Sequence, residues 1–303
     1  MTRPLSARRS LVRSAAPSSA GGAALSRLSL AICVSSAVLL AGALGCDLAP
    51  IRADELGPRV LESSPADGAS DFPRLGPFVA RLDRRLLPRT VSRATVRLES
   101  GVVSPRLSVR YDVLTQSVIA VPFTGEPIDP SVSWRFIVDG VEDLDGRPMA
   151  EPYVAAFRTG PDPGAGLGEP PVVGFADIAP ILTARCTGGA CHGPGPAALG
   201  LDLSSAIGVR DTAINAPARS FPSGALGPAG GAGAPVFAGL PLIDVVAGAG
   251  RPETSYLLYT VLGDPHVAGA PMPPALRDDP SVGVTATELR ALSTWISEGA
   301  PTP

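Results

Sequence analysis

The sequence predicts a multidomain chain, an all-β sandwich over residues 58–160 followed by a small all-α domain over 173–303. Three observations lead there. Between Pro58 and Gly160 short apolar runs alternate with turn residues. From Phe175 onward the apolar residues return at helical spacing instead. A Pro/Gly stretch over 161–172, beginning "PDPGAGLGEPP", separates the two patterns and has the composition of a linker.

Ahead of both parts, the first 45 residues carry Arg3, Arg8, Arg9, Arg13 and Arg27 and no acid, then enter the apolar run "LSLAICVSSAVLLAGALG". A basic segment followed by an apolar one is the pattern of an export signal. Small and aliphatic residues before a cysteine, "AGALGC", resemble the lipobox of bacterial lipoproteins. That resemblance implies cleavage after residue 45, lipidation of Cys46 and a short anchor and linker over 46–57. The other reading of the same run is an uncleaved transmembrane helix, since its length is close to the minimum for crossing a bilayer. Either reading puts the rest of the chain outside the cytoplasm, in the periplasm or at the cell surface, with the membrane reached through the anchor. Losing five of the 25 basic residues leaves 20 against 28 acidic ones, a net charge of −8. No basic surface for nucleic acid is then expected.

The runs "RVLESSP", "PFVARL", "TVRLES", "RLSVRYD", "SVIAVPF", "SWRFIVDG" and "YVAAFRTG" are each strand-length, rich in Val, Ile, Phe and Tyr, and bounded by Gly, Pro, Asp or Ser. Seven strands in about a hundred residues read as a sandwich. The series "SSPADGASDFP", "ARLDRRLLPRTV" and "VDGVEDLDGRPMAEPYVAAFRTG" resembles the bacterial Ig-like domains of surface proteins, which implies a spacer and leaves any ligand open. The carboxylates of "DGVEDLDG" admit a calcium site or a solvated hairpin turn.

In the second part, "GFADIAPILTARC" places Phe175, Ile178, Ile181 and Leu182 on one helical face, with Asp177 near the positive end of the helix dipole. "PETSYLLYTVLG" reads as a second helix ending at Gly263, and "TATELRALSTWISEGA" as a third capped by Thr285 or Thr287. Residues 206–250, dominated by Gly, Ala and Pro, are expected to be mainly loop. Three short helices and few large side chains predict a thin core.

The chemistry concentrates in "RCTGGACHGPG", where Cys186 and Cys191 precede His192. A Cys-x-x-Cys-His run attaches haem covalently, because two thiols add to the vinyl groups and the next imidazole meets the iron. Here four residues lie between the cysteines. Two cysteines at this spacing also suit a disulfide in an oxidising compartment, and Cys186, Cys191, His192 and His266 together offer a Cys2His2 zinc set.

The order of an opening helix, Cys-x4-Cys-His, "GLDLSS", "VAGAGRPETSYLL", "APMPP" and a closing helix in Trp-Ile-x-x-Gly-Ala resembles class I c-type cytochromes. The resemblance implies a cytochrome c-like domain with haem c bound through Cys186 and Cys191, His192 as proximal ligand and Met272 as distal ligand, with His266 as the alternative distal ligand. It implies an electron carrier with no substrate chemistry of its own and a redox partner protein that the sequence does not name. The different class of function left open is a non-redox binding or display protein with a disulfide in place of haem. With only two histidines, no Gly-x-Ser-x-Gly and no phosphate loop, the sequence shows no hydrolase or nucleotide pattern.

Overall fold

The computed structural model describes residues 56–168, 171–188, 191–195, 198–218, 237, 240–267, 272–273 and 283–303. The export segment, Cys46 and the Gly-rich run "GPAGGAGAP" lie outside the described residues. Among those described, no helix is long and apolar enough to cross a membrane.

The first part is a two-sheet sandwich. One sheet holds β1 (Val60–Ser64), β3 (Phe78–Leu82), β6 (Ser117–Pro122) and β5 (Leu107–Asp112) in that order, all antiparallel. The other holds β2 (Ala69–Phe72), β8 (Tyr153–Thr159), β7 (Ser133–Val138) and β4 (Val96–Glu99). In it β2 runs parallel to β8, and the remaining pairs are antiparallel. The two-residue period does the sorting. Phe78, Ala80 and Leu82 of β3 are fully buried, and Ala155, Phe157 and Thr159 of β8 face inward while Val154 stays 42% exposed.

Phe72, Phe78, Phe136 and Phe157 fill the gap between the sheets, with ring centroids 5.4 to 6.1 Å apart, within the range of favourable tilted and edge contacts. Thr159, 1% exposed, ties the strand end: its hydroxyl donates to the Asp129 carbonyl at 2.7 Å and accepts from the Val132 N–H at 3.0 Å. Thr159→Val keeps the shape but orphans both partners. It is expected to lower stability by about 1–3 kcal/mol, read as a shift of the urea midpoint; an unchanged midpoint would refute the role.

The second part is not the small all-α domain that the periodicity predicts: the described residues are mostly β, with ten strands in three sheets, one of them in this part. Its helices are short, α1 (Phe175–Arg185), α2 (Ala206–Thr212), α3 (Tyr256–Val261) and α4 (Ala286–Ser297). Between them β9 (Val245–Val246) and β10 (Ala249–Gly250) form a hairpin. Isolated bridges join Ile214 to Ile243 and Pro217 to Pro241. The reason lies in where backbone polar groups find partners. The residues after α2 have no helix to continue, so Asn215 donates to the Ile243 carbonyl, Leu242 to Ala216 and Ala218 to Leu240. The Asn215 side chain closes the ladder by donating to the Val245 carbonyl and accepting its N–H, both at 2.9 Å.

The core is also larger than expected. Ile178, Leu182, Val209, Ile243, Leu258, Tyr259, Leu292, Trp295 and Ile296 are each no more than 2% exposed, in a hydrophobic cluster continuous with that of the sandwich. The helical part therefore has an interior made of its own side chains.

Candidate functional site

A cavity of about 240 Å³ opens beside this core. Cys186, Cys191, His192, Met272 and Pro273 all line it, and Leu201, Leu203, Leu242, Leu257 and Val261 supply an apolar lining. Thus the four residues that the cytochrome resemblance implies for haem line one cavity. Arg185, Asp211, Thr212 and Thr260 are the polar members of the wall.

Helix α1 delivers the first cysteine. Its start is fixed by Asp177, whose carboxylate accepts the Gly174 N–H at 2.9 Å, and its apolar face docks through Ile178 and Leu182. The Cys186 N–H closes the last turn on the Leu182 carbonyl at 2.8 Å. The Arg185 guanidinium meets the Glu288 carboxylate at 3.3 Å. Glu288 also receives the Thr285 N–H at the start of α4, so one acid links the first helix to the last.

The loop between the cysteines is closed upon itself. His192 donates its N–H to the Cys186 carbonyl at 3.1 Å, Cys191 donates to Gly188 at 3.2 Å, and the His192 carbonyl accepts the Leu203 N–H at 2.8 Å. His192 is thereby held against the cavity wall, 9% exposed. Residues 189 and 190, between the two cysteines, lie outside the described residues.

Both cysteines are free thiols. Burial, with a smaller contribution from nearby Cys191, pushes the Cys186 thiol up to about 11, so it is protonated at neutral pH. Cys191 is exposed.

Met272 also lines the cavity. Its N–H donates to the Thr260 carbonyl at 3.2 Å, which attaches it to the end of α3. His266 does not line the cavity. Its ring nitrogens lie 2.8 Å from an Asp264 oxygen and 3.0 Å from an Asp145 oxygen, at the junction with the sandwich. The Cys2His2 set is therefore not assembled, and among the described residues no group of three or more His, Cys, Asp or Glu side chains is placed to hold a metal ion.

Of the carboxylates in "DGVEDLDG", Asp143 accepts the N–H groups of Asp145 and Arg147 at 3.0 and 2.9 Å and meets Arg84, while Asp145 holds His266. These partners turn the acidic turn into a joint between the two parts of the chain.

Sequence reasoning overlooked α2 and the Ala216–Pro217 segment, which close one side of the cavity. A usable signal was present in Ser205, whose hydroxyl accepts the Gly208 N–H at 3.0 Å as an N-cap.

The donor set fits a covalently held haem. Two thiols, an imidazole and a thioether line one cavity whose remaining lining is largely apolar.

No protein-family model matches the chain, and no curated protein matches it. Among solved structures it has a distant likeness to S-layer proteins. The crystal structure of the S-layer protein rSbsC and the structure of domains 1–6 of surface layer protein SbsC each show 11% identity and a TM-score of 0.28, covering 35% of this chain and 14% of theirs. The N-terminal part of the bacterial S-layer protein SbsC shows 15% identity and a TM-score of 0.24, covering 35% of this chain and 24% of its own. Likeness at this level carries no argument about fold or role.

Proposed function

We propose that this chain is an extracytoplasmic electron carrier, anchored to the bacterial membrane through lipidated Cys46, that holds one haem c in the cavity and passes electrons to a partner protein. The observation that supports the reading most is the meeting of Cys186, Cys191, His192 and Met272 on one cavity. Haem bound there would supply an iron that changes oxidation state by one electron. The Cys186 and Cys191 thiols would each add S–H across a vinyl group, sulfur to one carbon and hydrogen to the other, with no net oxidation. Cys186 and Cys191 would hold the macrocycle, and His192 and Met272 would supply an imidazole and a thioether to its iron. A thioether and an imidazole as the two protein ligands would favour the reduced iron.

The test is the absorbance spectrum of the full chain produced with haem-attachment machinery. A Soret band that survives acid-acetone extraction and is lost in Cys186→Ser/Cys191→Ser is the expected result. Met272→Ala is expected to lower the reduction potential, and His266→Ala to leave the Soret band in place. A colourless protein whose mass shows only the loss of two hydrogens at the cysteine pair would overturn the proposal in favour of a disulfide-closed, non-redox surface protein.

A further inference from the structure

Resting on that reading, we infer that the sandwich positions Met272: Arg85 and Asp145 clasp Asp264 and His266 in the turn that follows α3, and the same turn receives Met272 through the Thr260 carbonyl.

On the sandwich side the clasp is rigid. Asp145 sits in a turn whose backbone is held by Asp143, 3% exposed, and its second oxygen meets Arg147 at 3.2 Å. Arg85 lies three residues beyond β3 and reaches Asp264 at 2.8 Å. On the other side, Asp264 has a side chain only 2% exposed and accepts the His266 N–H at 2.9 Å as well as its ring nitrogen. The turn is tight because Gly263 takes a φ of +63°, the left-handed conformation that ends a helix. Within it Gly263 donates to Thr260 at 3.2 Å and Asp264 to Tyr259 at 3.0 Å. Met272 donates to that same Thr260 carbonyl. Arg85 thus reaches Asp264, whose chain neighbour Gly263 shares the Thr260 carbonyl with Met272, so the sandwich is linked through this turn to the Met272 backbone.

The charges facing His266 and Asp264 are those of Asp145, Arg85 and Arg147, with the phenols of Tyr111 and Tyr259 close to Asp264. The hydrogen bond to Asp264, assisted by that to Asp145, raises the titration of His266 above the ordinary imidazole range. Burial pushes Asp264 upward, but its bonds from His266 and the charge of Arg85 outweigh that and hold it low. A raised histidine stabilises below its unfolded value and loses that contribution as pH rises through its folded value; a lowered carboxylate loses its contribution as pH falls. The clasp is strongest between the two titrations. Above that of His266 one ring nitrogen ceases to donate.

Hydrogen exchange on the haem-free full chain decides the inference whether or not haem binds. The amides of Met272 and Gly263 are expected to exchange roughly tenfold faster in Asp145→Asn and His266→Gln, the scale of one lost anchoring hydrogen bond. After correction for intrinsic exchange, protection of the wild-type Met272 amide should fall as pH rises through the His266 titration. That step should vanish in His266→Gln, and Arg85→Lys should keep more protection than Arg85→Gln. In the haem-loaded chain the same variants should weaken the methionine-to-iron charge-transfer band and lower the potential. Unchanged Met272 protection in every variant would overturn the inference. Failure of the wild-type chain to take up haem would overturn the proposed function and leave the exchange result standing.

Discussion

Replacing Trp295 with alanine is expected to destabilise the chain by about 3–5 kcal/mol, the range for removing a fully buried large aromatic side chain. Trp295 is 0% exposed and is among the largest buried side chains. It sits on α4 where the last helix meets the first, its ring centroid 6.4 Å from that of Phe175. Its indole N–H donates to the Pro301 carbonyl at 3.1 Å, and its own carbonyl accepts the Ala300 N–H at 2.9 Å. Truncation leaves a cavity and an acceptor without its donor, and these two costs add. Urea unfolding followed by the fluorescence of Trp134, the other tryptophan, reads the effect. Trp295→Phe, which keeps most of the volume and loses the donor, should fall well short of the alanine loss. A loss under about 1 kcal/mol for alanine would contradict the packing described.

The second large effect is expected at Gly250. A Cβ there would lie 1.5 Å from the Ile296 carbonyl oxygen and 2.5 Å from its carbon, with the Gly299 nitrogen 3.2 Å away. All three atoms are backbone, so no side chain can swing aside. Strand β10 and the end of α4 would have to separate. Gly250→Ala should therefore cost about 3 kcal/mol or more, at or beyond the upper end for overpacking. Gly188→Ala in the cysteine loop is the matched control, since a Cβ there meets nothing within 4 Å. It should change stability by less than about 0.5 kcal/mol. Equal thermal midpoints for the two variants would show that the β10 to α4 contact is looser than the structure places it.

The sandwich was legible in the sequence because its strands bury alternate residues: seven of its eight strands fall on the runs that composition marks out. Strand β2 escaped because "ASDF" has no alternation and includes Asp71 at a φ of +55°, a conformation expected of a turn. Helical spacing marked α1 and α4, which each bury one stripe, while α3, buried at all six residues, was marked by the Ser/Thr before it and Gly263 after it. The expectation of an all-α domain failed on the stretches between them. Strands β9 and β10 are two residues each, too short for any period to register, and their pairing follows from backbone groups left unsatisfied elsewhere. Helix α2 is seven residues with an internal glycine, held by its cap more than by propensity.

At the site, cysteine, histidine and methionine were readable because their side-chain chemistry is rare. The role of Asp145 was not. Its contact with His266 spans 121 residues of chain, and nothing local distinguishes it from any other acidic turn.

The bond from His192 back to Cys186 has a wider meaning for how such motifs vary. Once the two ends of a short segment are tied to each other, the segment between them can lengthen at slight cost, since loop entropy grows only with the logarithm of length, by about 0.6 kcal/mol per doubling. The position of the imidazole is then set by the knot and not by the count of intervening residues. Insertions in this ring should be tolerated where substitutions at its neck are not, and a search pattern of fixed width would pass over chains built on the same plan.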